Sequence, residues 1–113
     1  MKSLRNSVQL IGNLGNDPEV KEVANGTKMV RLSLATTENY HKANGEKASD
    51  TQWHNLVIWG KLADVAEKYL KKGKQIAVEG KLETNTYDDK DGQRKYFTQV
   101  RVNDLVMFGK DAS

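Results

Sequence analysis

The 113-residue chain is long enough for one domain with a core of its own, and it holds no cysteine, which excludes disulfides, thiolate catalysis and cysteine-ligated metals. Its formal charge of +3 and pI near 9.1 suit a polyanionic partner, but the lysines and arginines are interspersed with acids, so charge alone would not hold one. Met1 to Asn6 runs into strand-like sequence without the apolar stretch of a signal peptide, and no segment is long enough to cross a bilayer, so a soluble, cytoplasmic protein is expected.

Ser7 to Leu14 mixes Val8, Leu10 and Ile11 with Gln9 and Asn13 and stops at Gly12-Asn13-Leu14-Gly15-Asn16-Asp17-Pro18, which reads as a strand followed by a loop. Asn25-Gly26, between Glu19–Ala24 and Thr27–Thr37, is a hairpin signal, because both central residues of a tight turn of this kind need positive φ. Val30, Leu32 and Leu34 then alternate with Arg31, Ser33 and Ala35, the pattern of a half-buried second strand. Glu38 to Asp50 is polar, turns at Asn44-Gly45 and carries Tyr40, His41, Lys42 and Lys47. It reads as a long hairpin arm or loop.

Thr51 to Gly60 holds both tryptophans on one predicted strand, the third. A period of two puts Trp53, Asn55, Val57 and Trp59 on one face and His54, Leu56 and Ile58 on the other. If Leu56 and Ile58 face a core, the indoles point outward, roughly 20 Å apart at about 3.3 Å per residue, which makes a platform rather than a pocket. Buried packing or a subunit contact would use the same residue types. From Lys61 to Lys72 the period changes: Leu62, Val65, Ala66, Tyr69 and Leu70 fit one short amphipathic helix, with Gly73 as its stop.

Lys74 to Thr84 returns to alternation as a fourth strand, with Ile76, Val78 and Leu82 on one face. Asn85 to Lys95 forms a second polar arm turning at Asp91-Gly92, and Phe97 to Met107 is a fifth strand with Val100 and Val102 on its apolar face. Five strands, a helix between the third and fourth, and long arms after the second and fourth make the all-β layout of a five-stranded OB-fold barrel in a single domain, 1–113. That fold binds oligonucleotides or oligosaccharides on the face of strands two and three, where this sequence puts Arg31, Trp53, Trp59, Tyr40 and Tyr87.

Over nearly its whole length the chain resembles the bacterial single-stranded DNA-binding proteins. The resemblance is carried by the run Leu10 to Val20, by Leu34-Ala35-Thr36, by Trp53-His54, by the run Gly60 to Gly73 and by Val78-Glu79-Gly80-Lys81-Leu82. It implies sequence-independent binding and protection of single-stranded DNA in replication, recombination and repair, by a homotetramer associated with the nucleoid. Tyr40, Tyr87, Trp53 and Trp59 would stack on bases. Arg31, from its strand position, with Lys61 and Lys72, from the resemblance, would meet phosphates, and His54 would lie at a subunit contact. Asn55, Glu83 and Thr86 stand where the family is often more basic, so fewer phosphate contacts and a shallower salt dependence are expected, by about 0.7 log unit per phosphate. Leu105 to Ser113 has neither the acidic tip nor the apolar end through which the family recruits enzymes. That fits either a short form without tail-mediated protein partners or a truncated chain.

No catalytic role, cofactor or metal is expected. His41 and His54 are the only imidazoles, and no nucleophile elbow or phosphate-binding glycine loop occurs. Asp88, Asp89 and Asp91 read as a solvated hairpin tip, because counting a calcium loop from Gly92 puts Tyr87 first and Thr98 last. A protein-docking OB-fold adaptor is the other reading. It would need fewer exposed aromatics than this groove face offers.

Overall fold

The computed structural model describes residues 5–108. Six strands and one α-helix follow each other as β1 (Val8–Leu14), β2 (Glu19–Glu22), β3 (Lys28–His41), β4 (Lys47–Trp59), α1 (Lys61–Tyr69), β5 (Gln75–Asp88) and β6 (Arg94–Met107). The sheet order is β1-β5-β6-β4-β3-β2, and Asn13 and Leu14 of β1 also pair with Ala35 and Leu34 of β3. That second pairing closes β1, β3, β4, β5 and β6 into the expected five-stranded barrel, with the helix between its third and fourth strands. The short β2 is added outside the ring, along β3.

Alternation supplies the core. Val30, Leu32 and Leu34 of β3, Leu56 and Ile58 of β4, Ile76 and Val78 of β5, and Val100 and Val102 of β6 are all buried in one cluster. On β6 the inward parity changes after Val102, because Glu79 pairs with Asp104 while Gly80 pairs with Val102, leaving Asn103 as an extra residue. This bulge lets Leu105 and Met107 pack on the same cluster.

Between β2 and β3, Asn25 (φ 74°) and Gly26 (φ 73°) both take positive φ, as the hairpin reading requires, within a single 3-10 turn. Val23 N–H donates to Thr27 C=O at 2.9 Å across it. The polar stretches 38–50 and 85–95 are strand arms on either side of short turns, formed by the ends of β3 with β4 and of β5 with β6. The ladder of β3 with β4 runs unbroken to His41 and Lys47, and that of β5 with β6 runs to Asp88 and Arg94.

Helix α1 seals one end of the barrel. Ala63 and Ala66 are fully buried, and Leu70, just past its end, joins them in the core; the small alanines allow a close approach. The helix is shorter than the sequence suggests, and Tyr69 lies half exposed rather than in the buried stripe, with the Lys68 ammonium 5.4 Å from its ring centroid. Lys28 Nζ ties β3 to the helix through Glu67 at 2.9 Å and Asp64 at 3.3 Å. Hydrogen bonding to these two carboxylates, Glu67 first, holds the Lys28 ammonium above the usual lysine pKa.

Candidate nucleic-acid interface

The outward face of the barrel over β3 and β4 is set by register. Its central row crosses five strands through in-register partners: Glu19 on β2, Arg31 on β3, Val57 on β4, Arg101 on β6 and Lys81 on β5. On one side of that row lie Met29 and Trp59. On the other lie Ser33 with Asn55, then Ala35 with Trp53. Trp53, Trp59 and Arg31 therefore share one face, as the alternation predicts. Val57 points the same way yet is only 1% exposed; its register partners on the two flanking strands are Arg31 and Arg101, an enclosure that a strand considered alone does not have.

Trp53 is 63% exposed, and its indole lies over Gly15. A Cβ at Gly15 would collide with Cζ3 of the ring, so only glycine lets the indole lie there. Gly15 is itself pinned: its N–H donates to Ser33 C=O at 2.9 Å, and Asn16 Oδ1 accepts from Ser33 N–H at 2.7 Å. Asp17 Oδ1 accepts from Lys72 N–H at 2.9 Å, and Gly73 N–H donates to Leu14 C=O at 2.7 Å. The Gly12–Pro18 motif is thus a clasp that joins β1 to β3 and to the segment after α1. It ties the Lys72 backbone to the β1–β2 loop.

Trp59 has different neighbours. It is half-buried beside Met29, and the Arg101 guanidinium lies 5.8 Å from its ring centroid. Lys61 follows two residues later, exposed at the first position of α1.

Between the β1–β2 loop and the β5–β6 arm runs an open groove of about 250 Å³. Arg31, Ser33 and Asn55 floor it, Asn16 and Glu19 form one wall, and Phe97 and Gln99 form the other. Tyr87 braces the second wall, edge-on to Phe97 with centroids 6.2 Å apart and ring planes at 62°. Phe97 and Arg101 are absent from the sequence-based site. Their alternation with Thr98, Val100 and Val102 put them on the outward face, but their closeness to Arg31 and Trp59 depends on the parallel pairing of β4 with β6.

Two expected residues lie elsewhere. Tyr40 is half exposed on the opposite face of the β3–β4 ribbon from Trp53, by the unbroken register, and it lines a separate open groove of about 430 Å³ with Asn39, His41, Lys47, Ala48 and Ser49. His54 is also on that opposite face, where its Nε2 and Thr36 Oγ1 share a hydrogen bond of 2.9 Å. The carboxylates near Gly92 organise a turn: Asp89 Oδ1 accepts from the N–H groups of Asp91 at 2.9 Å and Gln93 at 2.8 Å.

A model of the single-strand binding protein family matches residues 5–108. Single-stranded DNA-binding protein 1 of Chlorobaculum tepidum is 48% identical over 105 residues, which cover 92% of this chain and 65% of that protein; the chain thus spans just under two thirds of its relative. Among solved structures, the Plasmodium falciparum SSB in complex with ssDNA superposes with a TM-score of 0.86 at 34% identity, over 96% of this chain and 98% of the other. A deletion mutant of the single-stranded DNA binding protein from Thermus aquaticus gives 0.79 at 30% identity, over 92% of this chain and 50% of that one.

Proposed function

Because the chain belongs to the single-strand binding protein family, we propose that it binds and covers single-stranded DNA without regard to sequence, at the nucleoid, during replication, recombination and repair. Bases stack on Trp53 and Trp59 and against the wall of Tyr87 and Phe97, while Arg31, Arg101, Lys61 and Lys72 neutralise phosphates. Tyr40 serves a strand that passes to the other side of the β3–β4 arm. The protein works as a stoichiometric binder rather than a catalyst.

The observation that carries this reading is the outward face of β4, where a bare indole and a half-covered one flank a row holding Arg31 and Arg101. Every base has a π-face, so stacking tolerates any sequence, and the duplex hides those faces. The adjoining groove is open to solvent rather than enclosed, which suits a polymer better than a small molecule. Tryptophan fluorescence titrated with oligo-dT and with duplex DNA at two salt concentrations tests the reading. Saturable quenching by oligo-dT, weaker at higher salt, is expected. Equal affinity for duplex and single strands at one ionic strength would overturn it.

A homotetramer is part of the same proposal. Ile11 and Val106, 58% and 54% exposed, flank Ala77 in one outward row across β1, β5 and β6, and a second copy would cover this apolar strip. His54 is proposed to lie at a contact between copies. Light scattering at micromolar concentration should report the mass of four chains, and monomer alone would exclude this assembly.

A further inference from the structure

Arg101 is engaged on two sides. Its Nη1 lies 3.7 Å from Glu83 Oε2, and its guanidinium carbon lies 5.8 Å from the centroid of the Trp59 ring. Glu83 is held in turn by its register partner Gln99, whose Nε2 donates to Oε1 at 3.3 Å. Gln99 lines the groove that Arg31 floors, so the carboxylate stands at the edge of the face proposed to meet the nucleic acid.

A nucleotide offers the two groups that this arrangement already satisfies internally. Its phosphate would seek a guanidinium, which here faces a carboxylate. Its base would seek the face of an indole, against which the guanidinium is placed. Both internal contacts are weak enough to exchange: the ion pair is long, with side chains 51% and 33% exposed, and exposed pairs of this kind contribute little. A phosphate that reaches Arg101 can take two parallel hydrogen bonds in place of this single 3.7 Å contact.

Resting on the single-strand-binding reading above, we infer that Glu83, Arg101 and Trp59 form a displaceable cap on the binding face, in which Glu83 stands in for a phosphate and Arg101 covers the indole until single-stranded DNA replaces both contacts. The exchange has an electrostatic signature. When Arg101 turns to a phosphate, the released Glu83 carboxylate attracts a cation of its own, so the net release of counterions is smaller than an unpaired arginine would give. Glu83 thus carries the same sign of charge as the ligand it stands in for and competes with it for Arg101. It lowers affinity and flattens the salt dependence, and it leaves discrimination to the aromatics.

A double-mutant cycle on the full chain tests the cap, with oligo-dT affinity measured over a series of salt concentrations. Glu83→Gln keeps the shape and an acceptor for Gln99. It should tighten binding about 2- to 5-fold at low salt, the effect of removing one weak exposed pair, and steepen the log–log salt slope by up to about 0.7. In an Arg101→Gln background the same substitution should change neither quantity, because the group it competes for is gone. An equal gain in both backgrounds would show that Glu83 merely repels phosphate at a distance and would overturn the cap. So would an unchanged affinity and slope for Glu83→Gln in a protein that still binds oligo-dT. If the unsubstituted protein does not bind oligo-dT, the single-strand-binding reading itself falls. Glu83→Thr, which suits a strand and also lacks the charge, supplies the measurement should the amide variant fold poorly.

Discussion

The two ends of β4 carry the same residue type on the same face, yet they are built differently. At one end Trp53 lies bare on Gly15, supported by a clasp of backbone hydrogen bonds from the β1–β2 loop. At the other end Trp59 is half-buried between Met29 and Arg101, and the chain beyond it turns at once into α1, where Gly60 N–H donates to Lys28 C=O at 3.0 Å. The difference shows that period alone assigns a face but not an availability. A side chain on the outward face is free only where nothing from a neighbouring strand reaches over it, and β6 reaches over Trp59 but not over Trp53.

The largest expected effect separates the two indoles directly. Base–aromatic stacking contributes about 1–3 kcal/mol per base, so Trp53→Ala should weaken oligo-dT binding roughly 5- to 150-fold while leaving the melting temperature almost unchanged. Trp59→Ala should weaken binding less and destabilise the fold, by roughly 2 kcal/mol for a half-buried aromatic, or a Tm lower by about 10 °C. Paired fluorescence titrations and thermal melts on both variants decide it. Equal stability losses would mean that the two ends are packed alike.

Gly15→Ala probes the same contrast from beneath Trp53. The added methyl would occupy the site of the indole ring, which must swing away while the strand ladders stay intact. Affinity should fall about 3- to 10-fold, a part of the full stacking contribution, with a shift in tryptophan emission and native circular dichroism. Unchanged emission and affinity would show that the seat is not needed.

A smaller effect belongs to the Trp59 end alone. Lys28 is bound to Glu67 and Asp64 across β3 and α1, and its raised pKa means that the folded state holds this proton more tightly than the unfolded chain. Its contribution is therefore complete below the unfolded lysine pKa and disappears as the pH rises through the higher folded value. Lys28→Met should lower Tm slightly at neutral pH and low salt. The gap from the unsubstituted protein should narrow with added salt or in strongly alkaline buffer, as melts across pH would record. A gap independent of both would assign the loss to packing instead.

The two polar arms teach a related lesson. Tyr40 and Tyr87 look alike in the sequence, each an aromatic in a hydrophilic hairpin near a turn. In the structure Tyr87 leans on Phe97 at the groove wall, while Tyr40 lies on the far side of its ribbon from Trp53. Counting residues along an uninterrupted ladder from Trp53 to Ala48 and across to Tyr40 would have revealed this parity, but only once the register of β3 against β4 was known. The acidic-tail reading rests on Leu105 to Ser113, of which 109–113 lie outside the described residues.

What the sequence determined by itself was local: the order of the elements, the turn at Asn25-Gly26, the alternation that buries Val30, Leu32, Leu34, Leu56 and Ile58, and the common face of Trp53 and Trp59. Each depends on side-chain period or on residues that adopt unusual φ, and these are legible within a few positions of the chain. The tertiary structure decided which strands lie beside one another. The parallel pairing of Val57 with Arg101 brings Arg101 to Trp59 and encloses Val57 between arginines, and the docking of Gly15 on Ser33 seats Trp53. The bulge at Asn103 returns Leu105 and Met107 to the core, and Ala63 rather than Tyr69 joins the expected Ala66 at the barrel end. These depend on barrel closure and on registers between residues tens of positions apart, which no local pattern encodes.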